Sequence, residues 1–140
     1  AEHDAERGRH LFTAYGIGCA KCHALDQVTA PTGGPSLAAA GNRFSTAYLV
    51  ESILLPSKQI APQFQGTSIA MTDGRVLTGL VVAETANQLS ILTPDAKRLE
   101  IDKREIETRE PLAQSTMPGG LVNDPVELRD LLRYLSELKQ

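Results

Sequence analysis

Two cysteines stand three positions apart in this chain, with a histidine directly after the second: Cys19-Ala20-Lys21-Cys22-His23. Three chemistries use paired thiols at this spacing. A redox dithiol sits between a strand and a helix in a thioredoxin-like α/β pattern, and a zinc site needs further Cys or His ligands. Covalent haem attachment needs only these residues: each thiol adds to one of two vinyl groups on one porphyrin edge, and the next residue presents an imidazole to the iron. The chain has no other cysteine, and its other histidines, His3 and His10, lie upstream near the amino terminus. No thioredoxin-like pattern surrounds the motif. The five residues therefore predict one covalent haem c on Cys19 and Cys22, with His23 as proximal ligand to the iron.

A haem-ligating histidine ordinarily donates its other ring N–H to a carbonyl or carboxylate. Gly34-Pro35-Ser36-Leu37 could supply that carbonyl, with Pro35 stiffening it, although the spacing fits an ordinary turn equally well. Residues 27–36 are rich in Pro and Gly, which is loop composition. For the opposite side of the iron, Met117 is the candidate. It lies in the loop Gln114-Ser115-Thr116-Met117-Pro118-Gly119-Gly120-Leu121, and a restrained loop suits the holding of one soft thioether sulfur. The only other methionine, Met71, falls in an alternating strand pattern and reads as core. Arg43 and Tyr48 could meet a haem propionate or be ordinary surface residues. His10 reads as a surface residue.

These side chains need elements to position them. Residues 4–15 place Ala5, Gly8, Leu11, Phe12 and Tyr15 on one helical face, with Gly16 and Gly18 ending the helix. Gly8 on that face costs about 1 kcal/mol against Ala, so a close helix–helix approach is expected there. Ser45 can cap a helix over 46–55, with Leu49, Val50, Ile53 and Leu54 on its apolar face and Pro56 stopping it. The clearest helix closes the chain: Asp124 as cap, Pro125 first, Glu127 third, then the stripe Leu128, Leu131, Leu132, Leu135 and Leu138 beside Tyr134. Its natural partner is the Gly8 face.

Residues 60–110 change character. Alternating or Val-rich runs at 67–72, 75–83, 88–93, 98–101 and 105–108 are separated by Asp73-Gly74, Pro94-Asp95 and Asp102-Lys103. They predict a small antiparallel sheet or partial barrel, being too short and interrupted for a parallel sheet with crossover helices. The charged run 102–110 mixes signs and reads as one solvated strand with its flanks.

At 140 residues the chain is one domain's worth, 1–140, with 60–110 as a β-rich insertion. A net charge of −3 and a pI near 5.6 leave no basic footprint for nucleic acid. No run approaches the roughly 18 apolar residues of a membrane span, and the chain opens on polar residues. Haem attachment of this kind occurs outside the bacterial cytoplasm, so a periplasmic or other extracytoplasmic location is expected, with a signal peptide or parent protein removed. With both thiols on haem, no disulfide is available.

Taken together the residues resemble a class I cytochrome c. Gly8 and Phe12 match that family's G-x-x-x-F helix, and Leu131, Tyr134 and Leu135 its L-x-x-Y-L helix. Cys19 to His23, Gly34 to Leu37 and Met117-Pro118 match its C-x-x-C-H, G-P-x-L and Met-Pro motifs. A closer likeness covers nearly the whole chain: Glu51-Ser52-Ile53-Leu54-Leu55-Pro56-Ser57, the Thr72-Asp73-Gly74 hairpin ending in Gly79, and the Ser-x-Met-Pro-x-Gly-Leu spacing of Ser115 to Leu121. These resemble bacterial haem-binding domains that occur alone or at the ends of large periplasmic dehydrogenase-like proteins. The resemblance implies a mainly α cytochrome c fold, three to four helices around haem, with the β segment inserted before the Met-Pro loop. It implies that the Pro35 carbonyl accepts the His23 ring N–H, that Leu37 and Pro118 flank the haem, and that His23 and Met117 are the axial ligands. Thr116 departs from the closer family, which often has a larger apolar residue before the methionine.

The function expected is one-electron transfer by a low-spin, six-coordinate haem c, without substrate at the metal and so not an enzyme in its own right. The chain would be a free carrier or the electron-transfer domain of a dehydrogenase, with a dehydrogenase or a terminal oxidase or reductase as redox partner. Two alternatives are weighed against it. An open-site haem enzyme or gas sensor would require Met117 to be remote from iron, and no distal histidine is evident. A docking module would use the β insertion to bind a redox partner.

Overall fold

The helix that opens the chain, α1 (Glu2–Thr13), buries Ala5, Gly8 and Phe12 on the face the spacing predicts. Described residues are 2–14, 17–26 and 33–139 of this computed structural model, Glu2 by its backbone alone. The expected places of Tyr15 and Gly16, and the stretch 27–32 of the predicted loop, lie outside them. Two units are distinguished: Ala1–Thr29, Gly34–Gln59 and Met117–Gln140 make the helical unit, and Ala30–Gly33 with Ile60–Thr116 makes the β unit.

In the helical unit, α2 spans Ala40–Arg43, α3 Thr46–Leu54 and α4 Pro125–Ser136. The α4 start follows the predicted chemistry, with Asp124 Oδ1 accepting from the Val126 N–H at 2.8 Å and Pro125 at the first turn. Likewise Ser45 Oγ accepts from the Tyr48 N–H at 3.1 Å to cap α3. Helices α1 and α4 meet at Gly8, where a Cβ would lie 2.0 Å from the Asp130 carbonyl oxygen. Backbone cannot step aside, so only glycine permits this approach. One turn on, Phe12 is fully buried, its ring tilted against Tyr134 at 5.7 Å between centroids. Phe12, Leu49, Val122, Leu131 and Leu135 form the buried core.

A charge network crosses the same helix pair. Asp130, 3% exposed, accepts from Arg7 Nε at 3.0 Å and Arg129 Nη2 at 2.8 Å. Burial pushes its carboxyl up, yet the two guanidinium groups outweigh that and hold it below the usual carboxylate value. Asp4 pairs with Arg7 and Arg133. The short α2 has no capping side chain and is held by tertiary contact: the Gly41 N–H donates to the Leu138 carbonyl at 2.7 Å.

In the β unit, β1 (Thr67–Met71), β2 (Val76–Glu84), β3 (Gln88–Leu92), β4 (Arg98–Asp102) and β5 (Ile106–Pro111) form one antiparallel sheet in the order β4-β3-β2-β1-β5. The β1–β2 turn is the predicted one, with Gly74 at φ +92. Strands β4 and β5 stand at opposite ends of the order, yet only the three-residue turn Lys103–Glu105 separates them. A flat sheet would put them about 19 Å apart at about 4.8 Å per strand. The chain from Asp102 to Ile106 reaches at most roughly 14 Å. The sheet must therefore curl, and bulges in β1 and β2 accommodate the bend. Inside lie Ile69, Met71, Leu89, Ile91 and Ile101. Met71, 2% exposed, is a core residue here.

The expected mainly α fold is overturned. Among the described residues five strands and four helices, about 35% helix against 23% strand, make a mixed α/β chain. The reason is physical: the alternating apolar positions of the strands bury a core of their own, so the β unit is a second body and not an ornament on a helical one. The charged run 102–110 is one solvated strand with its flank, as expected. Asp102 ends β4, Lys103–Glu105 turns, and exposed β5 carries the rest. Among the described residues no helix is long and apolar enough to cross a membrane.

Candidate functional site

After α1, buried Gly18 adopts a left-handed conformation (φ 58, ψ 39) and redirects the chain into a 3-10 turn at Cys19–Lys21. The turn is closed by N–H donations from Lys21 to the Gly18 carbonyl at 3.0 Å and from His23 to the Cys19 carbonyl at 3.0 Å. Cys19 opens the turn and Cys22 follows it directly, its N–H donating to the Cys19 carbonyl at 3.2 Å. Both thiols are free. Cys19 is half-buried against the helical core, and burial pushes its thiol up; Cys22 is exposed.

His23 is fixed from behind. Its Nδ1 lies 2.9 Å from the Pro35 carbonyl oxygen. A carbonyl only accepts, so Nδ1 carries the proton and Nε2 keeps its lone pair. Burial pushes the imidazole below its ordinary value, while the Pro35 contact works against that shift. A neutral ring with a bare Nε2 is the metal-ligating form. Gly34 presses on the same ring: a Cβ at 34 would lie 2.6 Å from His23 Cε1 and 2.9 Å from Nδ1.

The segment that holds the ring is itself pinned. The Gly34 N–H donates to the Cys22 carbonyl at 2.9 Å and the Leu37 N–H to the Ala24 carbonyl at 2.8 Å. Ser36 Oγ donates to the Asp26 carbonyl at 2.6 Å. The turn reading of residues 34–37 thus gives way to a carbonyl aimed at the imidazole. Leu37 is half-buried against the helical core.

The remaining predicted residues fall into two groups. Arg43 and Tyr48 meet on Phe44: the guanidinium lies 5.4 Å from the Phe44 ring centroid, and Tyr48 stacks on that ring at 5.2 Å. Phe44 was not anticipated, although an aromatic residue directly before a Ser cap and five before Leu49 is the signature of a hydrophobic staple. Met117 belongs to the helical unit and is half-buried, while Pro118 is exposed. Their loop lies against α3's end, where a Cβ at Gly119 would stand 3.7 Å from Pro56 Cδ. Beyond it, Asn123 Nδ2 donates to the Gly120 carbonyl at 2.9 Å and Val122 enters the core.

The helical unit thus carries two free thiols, a pinned neutral imidazole and a thioether, together with apolar side chains still open to solvent: Tyr48, Leu54 and Leu55 are 41%, 42% and 56% exposed. Among the described residues no group of three or more His, Cys, Asp and Glu side chains is placed to hold a bare metal ion, the motif's own three included. Fold and site define a mixed α/β chain whose helical unit presents a ligand-ready histidine behind a thiol pair. No family model matches the chain, and no curated protein is similar to it at a significant level.

Proposed function

We propose that this chain is a one-electron carrier with one haem c bonded to Cys19 and Cys22, its iron held between the His23 imidazole and the Met117 thioether. When bound, the haem supplies an iron that passes between ferric and ferrous states. The observation that carries the reading is the 2.9 Å contact between His23 Nδ1 and the Pro35 carbonyl, directly after the thiol pair. It sets the tautomer, leaves Nε2 as a donor and strengthens that donor. The donor set fits the group in its chemistry as well: two free thiols at the two ends of one short turn suit two vinyl groups, and exposed Tyr48, Leu54 and Leu55 are the kind of surface an apolar plate would cover. The likeness to class I cytochromes c, carried by residues 8–12, 19–23, 34–37, 117–118 and 131–135, supports the same reading.

Each residue's part follows. Cys19 and Cys22 anchor, His23 ligates, and Gly34 with Pro35 keeps the ring from turning. Met117 would be the second protein donor to the iron, and its thioether would deny that place to substrates. Arg43 and Tyr48 are the candidates for the propionates. The chain works outside the cytoplasm with a protein partner, a dehydrogenase or a terminal oxidase or reductase. The test is covalency: after denaturation and acid extraction the colour stays with the polypeptide, and replacing both Cys19 and Cys22 by Ala releases it. Colour extracted from the unaltered chain would refute the attachment.

A further inference from the structure

The carbonyl that faces His23 belongs to one rigid peptide plane, because the Pro35 C=O and the Ser36 N–H lie in a single planar unit. How that plane is turned decides whether the oxygen meets Nδ1. At its leading end the pyrrolidine ring locks the φ angle of Pro35. At its trailing end stands Ser36, half-buried, and its hydroxyl is engaged twice. Ser36 Oγ donates to the Asp26 carbonyl at 2.6 Å and accepts from the Ala38 N–H at 3.3 Å. The first bond ties the plane to the stretch of chain that follows His23. The second closes residues 36–38 into a turn and so limits rotation about the Ser36 backbone. The bonds from Gly34 to Cys22 and from Leu37 to Ala24 use the peptide planes on either side. All of these residues lie within the helical unit.

We propose that Ser36 is a positioning residue for the proximal ligand: through its hydroxyl it holds the Pro35 carbonyl on His23 Nδ1 and so sets how strongly Nε2 donates to the iron. The inference rests on the proposed ligation by His23 and extends it to a side chain that acts only through the Pro35 carbonyl. A proton drawn toward a carbonyl makes the imidazole a stronger donor, which favours ferric over ferrous iron. Loosening the plane shifts that balance toward the reduced form.

Ser36→Ala removes both hydroxyl bonds and Ser36→Thr keeps them. Both are read in the haem-loaded protein, with far-ultraviolet circular dichroism unchanged. In Ser36→Ala the ratio of ferrous to ferric iron at a fixed applied potential rises by roughly threefold to tenfold, the worth of one weakened hydrogen bond. Solvent exchange of the His23 Nδ1 proton, followed by nuclear magnetic resonance in the reduced protein, speeds by a similar factor. Ser36→Thr matches the parent in both. A parent-like ratio or parent-like exchange in Ser36→Ala overturns the proposal, as does an equal shift in Ser36→Thr, which would mark a response to any change at position 36. If the parent takes up no haem, the ligation reading fails instead, and exchange of the His23 Nδ1 proton alone decides whether Ser36 holds the carbonyl in place.

Discussion

Replacing Gly34 by alanine tests the pinning of His23 with a single methyl group. The added Cβ would stand 2.6 Å from His23 Cε1, whereas carbon–carbon contacts settle at about 3.5–4.0 Å. Ring or loop must therefore move by roughly 1 Å. If the ring moves, the 2.9 Å contact with Pro35 is lost; if the loop moves, the Gly34–Cys22 and Leu37–Ala24 bonds lengthen. Overpacking costs about 1–3 kcal/mol and one weakened hydrogen bond about 1 kcal/mol. The backbone at 34 is not in the left-handed region, so alanine is otherwise tolerated and gains about 0.4–1 kcal/mol from the unfolded chain. The net expectation is a loss of about 1.5–3 kcal/mol, a fall in melting temperature of roughly 5–10 °C for a chain of this size. Thermal melts followed by circular dichroism measure the fall, and amide exchange at Leu37 shows which side gave way. An unshifted melt with Leu37 as protected as before would show that the ring is not pressed against position 34.

At the helix crossing, Gly8→Ala gains about 1 kcal/mol of helix propensity but drives a methyl into the Asp130 carbonyl. Separation of α1 and α4 should win, for a net loss of about 1–3 kcal/mol in denaturant titration; a stabilised variant would contradict the close approach. In the β unit, Arg109 and Lys103 hold the Glu84 carboxyl down from 4.5 to about 2. A depressed carboxylate stabilises the fold above its unfolded value and loses that contribution as pH falls through the folded value. Acid titration should therefore weaken the β unit between about pH 4.5 and 2, less so in high salt, and Glu84→Gln should flatten that part of the profile. An unchanged profile would show the cluster to be inert.

The parts legible in the sequence were those with local causes. Asp124-Pro125-Val126-Glu127 followed by a leucine stripe defines α4 wherever it lies, and Asp73-Gly74 defines its hairpin by turn chemistry alone. Gly8 was legible because an unexplained glycine on an apolar helix face asks for a neighbour. Helix α2 was not, since its four residues lack a cap and depend on Gly41 meeting Leu138, a contact made nearly a hundred residues away. Sheet order was equally hidden, because nothing local in β1 says that its second partner is β5. The weight given to helices came from where the chemical motifs sit. Strands at 67–111 carry no such motif, yet they build a core of their own. At the site, Pro35 was legible as a candidate carbonyl, whereas Gly34's pressure on the ring and Phe44's place between Arg43 and Tyr48 appear only with coordinates.

Absorption spectra of the purified protein, oxidised and reduced, beside those of Met117→Ala and Met71→Leu, decide whether haem is bound and through which sulfur. The protein is expected to be coloured, with haem c bands, a ferric methionine band that Met117→Ala abolishes and Met71→Leu retains, and carbon monoxide binding only where Met117 is lost. A colourless polypeptide would rule out the haem, and a methionine band that survives Met117→Ala would rule out Met117 as its ligand.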